Sequence, residues 1–155
     1  FEIEIRHLSE EEELEVVRAT TGIEDPTFKN AVTGADLLAF QRLVRRIPTP
    51  DAVLRYAVGL VRASRPEGDS PPEFVKKWVA YGGSVRAAQY LILGAKARAL
   101  TMGRYTPSFD DVRALAHPVL RHRVLTNFHA ESEGRSSVEL IDKLLEAVPQ
   151  PRSGM

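Results

Sequence analysis

The sequence predicts an all-α fold, a compact bundle of about six or seven helices with a short N-terminal strand remnant. Two observations carry this prediction. Apolar residues recur at helical spacing in one segment after another. Serine, threonine or proline, which favour helix starts, stand before most of these segments, and the connections between them are short. No period of about 20 to 50 residues repeats, so a repeat protein is not expected.

The composition indicates a soluble globular domain. The chain has 155 residues, enough for one domain with at most a small attachment. Its 21 basic and 21 acidic residues cancel, which argues against binding to nucleic acid. It has no cysteine and no apolar run of membrane-spanning length, so we expect a cytoplasmic protein without a membrane segment. Because the chain does not begin with Met, we expect it to be part of a longer protein.

The first elements are a strand and a capped helix. Residues 1–5 alternate between apolar and acidic side chains, which predicts a half-buried strand that needs a sheet from elsewhere. Ser9 and Glu12 form a capping box, and the helix that they begin is expected to end at Gly22. Residues 25–31 are predicted to be a loop.

Two further helices follow the loop. Residues 33–47 form the first, and Thr49 and Pro50 are predicted to cap and open the second. Basic side chains near the end of the first suit a helix C-terminus, although a subunit interface is an alternative. These side chains are Arg42, Arg45 and Arg46.

A short helix and a long one come next. Ser70 and Pro71 are predicted to start the short helix. Trp78, the only tryptophan, is expected to pack between it and the long helix, with ligand stacking as the alternative. The long helix spans residues 85–102, and Gly103 is predicted to stop it.

The last third of the chain carries two more capped helices. Ser108 and Asp111 resemble a capping box, and Pro118 is expected to break or kink the helix that they start. Residues 126–135 are polar and are predicted to be a loop. Ser136 opens the final capping box, before a helix that ends at Pro149.

The start of the long helix is the strongest candidate site. Gly82 and Gly83 permit turns closed to other residues, and Ser84 is a suitable N-cap. Arg86 lies in the first turn, where the helix dipole favours acids rather than bases. An arginine there adds positive charge to an anion-attracting helix end. The hypothesis is a phosphate contact; the alternative is an ordinary solvated arginine.

Several motifs in order resemble MoxR-type AAA+ ATPases. Residues 82–86, Gly-Gly-Ser-Val-Arg, resemble the family's sensor-two segment Gly-Ala-Ser-Pro-Arg, with Val85 in place of the proline. Residues 104–112 resemble its Gly-Arg-x-x-Val-Thr-x-x-Asp-Val segment, and residues 118–123 match its Pro-Val-Leu-Arg-His-Arg signature. The similarity extends over nearly the whole chain.

The resemblance implies a C-terminal lid domain without its nucleotide-binding core. Residues 1–8 would be the remnant of the core, residues 9–151 the lid and residues 152–155 a tail. Arg86 would be the sensor-two arginine, and Gly83 and Ser84 would join it at nucleotide. The cofactors implied for the intact protein are ATP and Mg²⁺. The implied partners are its own core, neighbouring subunits of a homo-oligomeric ring and remodelled client proteins, including von Willebrand A-domain proteins and enzymes that receive metal cofactors.

Arg121, His122 and Arg123 form a basic cluster inside the signature. Cations satisfying a helix C-terminus would explain them. The alternative is an interface to the core or to a neighbouring subunit.

The chain lacks the other parts of an ATPase. It has no Gly-x-x-x-x-Gly-Lys loop and no apolar strand ending in Asp-Glu, so we expect no ATP hydrolysis and no bound cofactor from this chain alone. His117 and His122 are five residues apart, which does not favour a metal site. The alternative to a lid is an all-α protein-interaction module with no nucleotide role.

Overall fold

The structure is a computed structural model that describes residues 1–23, 29 and 31–151. Over these residues it is an all-α bundle with one small two-stranded ribbon, which confirms the predicted fold class. The described part contains nine helices, compared with the six or seven predicted, and two short strands. They are α1 (Glu10–Thr20), α2 (Gly34–Arg46), α3 (Asp51–Ala63), α4 (Glu73–Trp78), β1 (Val79–Tyr81), α5 (Val85–Thr101), α6 (Phe109–Ala114), α7 (Ala116–Leu120), β2 (Leu125–Thr126), α8 (Phe128–Ser132) and α9 (Ser137–Ala147).

The core is built around the long helix α5. Small residues along α5 let α3, α6 and α7 approach it closely, and α9 closes the bundle against α3 and α7. Gly103 has a φ of +69°, so it stops α5 as predicted. The largest fully buried apolar side chains are Leu60, Leu91, Leu120, Leu140, Ile141 and Leu144.

The N-terminal residues do not form the predicted strand. Residues 1–8 carry no regular secondary structure, and their side chains are exposed rather than half-buried. A strand needs a partner, and none of the described residues pairs with this segment as a strand. Its backbone instead meets α7, where the Glu2 N–H donates to the carbonyl oxygen of Pro118 at 2.7 Å. Most of the predicted loop at residues 25–31, and the tail at residues 152–155, lie outside the described residues.

Helices α1 and α2 form as predicted but bury nothing. Ser9 and Glu12 make the predicted reciprocal capping box. Thr33 caps α2, and Asp36 completes a second capping box that the sequence analysis did not identify. No residue of either helix is buried. The exposed apolar side chains of α2 include Leu37, Leu38, Phe40 and Leu43.

The predicted caps of α3 and α4 are displaced along the chain. Pro50, not Thr49, is the N-cap residue of α3, and the hydroxyl of Thr49 is buried without a hydrogen-bond partner among the described residues. Pro72, not Ser70, precedes α4. The second shift has a steric cause, because a residue before proline avoids the helical region and Pro71 stands before Pro72.

The region predicted as a loop at residues 126–135 contains structure. Its first residue ends β2, which pairs antiparallel with β1 through Val79 and Thr126. Asn127 then caps α8, since its side-chain oxygen accepts from the N–H of Ala130 at 3.0 Å. Trp78 packs against the core, as expected, and its indole N–H donates to Glu133 of this region at 3.1 Å.

Pro118 does not break the helix at its own position. The break comes at Leu115, whose ψ of 0° ends α6, and Pro118 then lies in the first turn of α7. The missing N–H of a proline costs little there, because the first turn has no intrahelical acceptor for it.

Candidate functional site

The turn before α5 is fixed by a close approach to the end of α3. A side chain at Gly82 would overlap the backbone of Ser64 and Arg65, so only glycine fits. Gly83 is buried, and its N–H donates to the hydroxyl of Ser64 at 2.8 Å. The close approach at Gly82 and the hydrogen bond of Gly83 therefore fix the position of the turn relative to the end of α3.

Ser64 and Arg65, the two residues that follow α3, hold this turn. The hydroxyl of Ser64, which is fully buried, donates in turn to the carbonyl oxygen of Val61 at 2.7 Å. The Nε of Arg65 donates to the carbonyl oxygen of Gly83 at 2.7 Å. Ser64 and Arg65 thus attach Gly83 to the end of α3. Because α5 begins two residues after Gly83, these hydrogen bonds also fix the position of its first turn.

The first turn of α5 leaves positive charge exposed. Ser84 is the N-cap residue as predicted, but its hydroxyl makes no capping hydrogen bond. No acid lies in the first turn, whereas α1, α2, α3 and α9 each have at least one. Arg86 is exposed, and within the described part of the chain its guanidinium has no hydrogen-bond or ion-pair partner. The dipole and the arginine together make this end electropositive.

A groove of about 550 Å³ lies beside this end between α3 and α5. Val85 and Tyr90, which flank Arg86 in α5, line one side, and Leu54 and Val58 of α3 line the other. All four side chains are substantially exposed. The groove reaches the start of α5 at Val85, next to Arg86, and its lining, which includes Arg45 of α2, contains no carboxylate among the described residues.

The basic cluster contacts the N-terminal residues of the same chain. Arg121 donates to the Glu4 carboxylate at 2.9 Å, and Nδ1 of His122 lies 3.7 Å from the Glu2 carboxylate. Burial, together with the charge of Arg123, lowers the pKa of His122. The predicted site residues therefore fall into two groups, the α5 start and the α7 end.

The described residues offer no group of three His, Asp or Glu side chains suited to a metal ion. His117 instead faces Asp142 at 2.9 Å. None of the helices in the described ranges combines the length and apolar character needed to cross a membrane.

Known proteins resemble this chain in both sequence and fold. A family model described as the AAA lid domain matches residues 74–144. The chain is 32% identical over 152 residues to the chaperone MoxR1 of Mycobacterium tuberculosis, covering 98% of this chain and 40% of that protein. The crystal structure of a candidate ATPase from Cytophaga hutchinsonii superposes with a TM-score of 0.86 at 28% identity, over 96% of this chain and 45% of that one.

This chain is a lid domain of the MoxR-type AAA+ ATPases.

A third relative, the uncharacterized protein YeaC of Bacillus subtilis, is 27% identical over 125 residues, which are 81% of this lid and 36% of YeaC. The lid thus spans less than half of each of these proteins. The match to the lid model includes both Arg86 and the basic cluster, because it runs from α4 into α9.

A buried charge network explains the family segment at residues 104–112. Asp111 is fully buried and accepts hydrogen bonds from Arg98 at 2.7 Å, from Arg104 at 2.6 and 2.8 Å, and from the Ser108 N–H at 2.8 Å. Burial alone would raise its pKa, but the donors from Arg104, Ser108 and Arg98 outweigh burial and hold the pKa well below its usual range. The predicted capping box of the lid is therefore also an ion-pair centre that joins the end of α5 to α6.

Some residues that shape the site were missed by the sequence analysis. Ser64 gives no sequence signal, because its importance depends on a tertiary contact with Gly83, about twenty positions away in the chain. Arg65 stands in an Arg-x-x-Arg-Pro segment that is similar to the family, but its acceptor could not be read from that pattern.

Proposed function

We propose that the lid supplies Arg86 as the sensor-two arginine of a MoxR-type AAA+ ATPase. Its guanidinium would contact the γ-phosphate of ATP held by the nucleotide-binding core, with the backbone at Gly83 and Ser84 close to the phosphates. Mg²⁺ would be held by the core, since the described residues of the lid offer no ligand cluster for it. Arginine suits the task because its charge is permanent and its planar fork matches phosphate oxygens.

The observation that carries this proposal is the exposed, unpaired Arg86 on an acid-free helix start. An arginine that served only solubility would not need a rigidly held backbone at its position. Here Ser64 and Arg65 hold the preceding turn, so the position of Arg86 is set by the packed part of the lid. The apolar groove beside it suits coverage by a core domain.

Coupling would follow from a rigid-body movement of the lid. Release of the γ-phosphate would remove the contact of Arg86 and let the lid rotate relative to the core. In a ring of subunits this rotation would be used for chaperone-like remodelling, consistent with the name of MoxR1. Clients such as von Willebrand A-domain proteins or enzymes that receive metal cofactors, and a cytoplasmic location, belong to the same proposal. So does the division into a core remnant at residues 1–8, a lid at residues 9–151 and a tail at residues 152–155.

The test is ATP turnover by the full-length protein with Arg86→Ala. Loss of hydrogen bonds to a charged group costs about 1.5–3 kcal/mol, so we expect turnover to fall about 10- to 150-fold. Arg55→Ala is the matched control, because its side chain is 80% exposed and pairs only with Asp51 of its own helix. Unchanged turnover in Arg86→Ala would reject the sensor role.

A second candidate is the interaction module without a nucleotide role. The exposed apolar sides of α1 and α2 favour it, since both helices offer surface for a partner. The two proposals differ in the same assay. A module predicts that Arg86→Ala has no effect on ATP turnover.

A further inference from the structure

Three parts of the lid meet at the ring of Tyr90. This residue lies four positions after Arg86, so both occupy one side of α5. The ring of Phe1 stands edge-on to it, with centroids 6.3 Å apart and planes at 70°. The guanidinium of Arg123 lies 5.3 Å from the centroid of the Tyr90 ring. Tyr90 therefore joins the N-terminal residues, the sensor helix and the family signature.

The residues Phe1–Glu4, called here the N-terminal arm, are held at further points. The N–H of Glu2 donates to Pro118, and the carboxylate of Glu4 pairs with Arg121. Together with Nδ1 of His122, 3.7 Å from the Glu2 carboxylate, these contacts attach the arm to α7 and to the residues just after it. The ring of Phe1 attaches the arm to α5.

Gly94 supports this reading of the Phe1 ring. It lies inside α5, where a glycine costs about 1 kcal/mol relative to alanine. A Cβ at this position would stand 2.8 Å from the ring of Phe1 and 2.7 Å from Leu115. The missing side chain therefore leaves space for the ring, one helical turn beyond Tyr90.

We propose that Tyr90 is a positioning residue that fixes the N-terminal arm relative to Arg86. The inference rests on the proposed sensor role of Arg86. In the full-length protein the arm would continue into the core, and α5 is a rigid rod between Tyr90 and Arg86. The Phe1–Tyr90 contact then sets the angle at which the core meets the guanidinium. Without it, the ring of Phe1 keeps only its place beside Gly94 on α5, and the rest of the arm is held by the Glu2 hydrogen bond and the Glu4–Arg121 ion pair.

The test compares ATP turnover by full-length variants. Tyr90→Leu and Phe1→Ala each remove one ring of the contact, and we expect each to lower kcat about tenfold, since small misplacements of a positioned group have effects of this size or larger. Tyr90→Phe keeps the ring and should restore turnover. Tyr105→Leu is the matched control, because that tyrosine is 78% exposed.

A double variant separates positioning from a general structural effect. If Tyr90 acts through Arg86, Tyr90→Leu should lower turnover less than twofold further in an Arg86→Ala background. Effects that multiply would overturn the inference, as would normal turnover of Tyr90→Leu while Arg86→Ala is impaired. Normal turnover of Arg86→Ala itself would reject the sensor role and the positioning role together, which distinguishes the two failures.

Discussion

Helices α2 and α3 each have 13 residues and one apolar side, but they differ in how far that side is buried. Five residues of α3 are buried, whereas none of α2 is. The same contrast divides the described chain, because every buried residue lies at or after Ile47. Since α2 contacts α5 without burying a residue, an amphipathic pattern predicts a helix and its apolar side, but it does not predict how far that side is buried.

The largest difference in stability between the exposed and the buried part of the chain should appear at two aspartates that both cap helices. Asp36 and Asp111 both complete capping boxes, but Asp36 is exposed and Asp111 is the buried partner of two arginines. Removing one partner of a buried pair costs about 3–5 kcal/mol, so Asp111→Ala should lower the free energy of unfolding by about that amount. Asp36→Ala should cost only about 0.3–1 kcal/mol, the usual contribution of an exposed acid in the first turn of a helix. Urea unfolding followed by circular dichroism measures both, and equal losses would refute the contrast.

A leucine pair tests the same contrast without charge. Leu60 of α3 is fully buried, and Leu38 of α2 is 56% exposed. We expect Leu60→Ala to cost about 2–5 kcal/mol, because it removes packed atoms and leaves a cavity. Leu38→Ala should change the free energy of unfolding by no more than about 0.5 kcal/mol. A large loss for Leu38→Ala would mean that α2 packs more tightly than its exposure indicates.

Acid should affect the packed region through Asp111. Its pKa in the folded lid is well below the unfolded value, so its stabilising contribution is complete above about pH 4. That contribution is lost as pH falls from about 4 through the folded pKa. Thermal melting of the lid between pH 6 and pH 2 should therefore show a steep decline at the acid end. Asp111→Asn should start lower and decline less, and parallel profiles would contradict the assignment.

Local signals in the sequence predicted much of the fold. The boxes at Ser9 and Ser108 and the stop at Gly103 depend on residues within a few positions of one another. Features that the sequence missed or misplaced depend on distant partners. The indole N–H of Trp78 donates to Glu133, about 55 positions away, and the predicted strand at residues 1–5 meets α7 instead of a sheet.

The same distinction between local signals and distant contacts applies to the candidate site. The family motif located Arg86 and the basic cluster in the sequence. It did not indicate that Ser64 holds Gly83, or that Glu2 and Glu4 face the basic cluster. Those contacts join segments far apart in the chain, and only the folded backbone brings them together.

The most direct test of the central claim is the affinity of the full-length protein for ADP and for a non-hydrolysable ATP analogue, with and without Arg86. If Arg86 contacts the γ-phosphate, the unmodified protein should bind the analogue more tightly than ADP by about tenfold or more. In Arg86→Ala the two Kd values should become nearly equal, with the affinity for ADP little changed. The same preference for the analogue in both proteins would contradict the account.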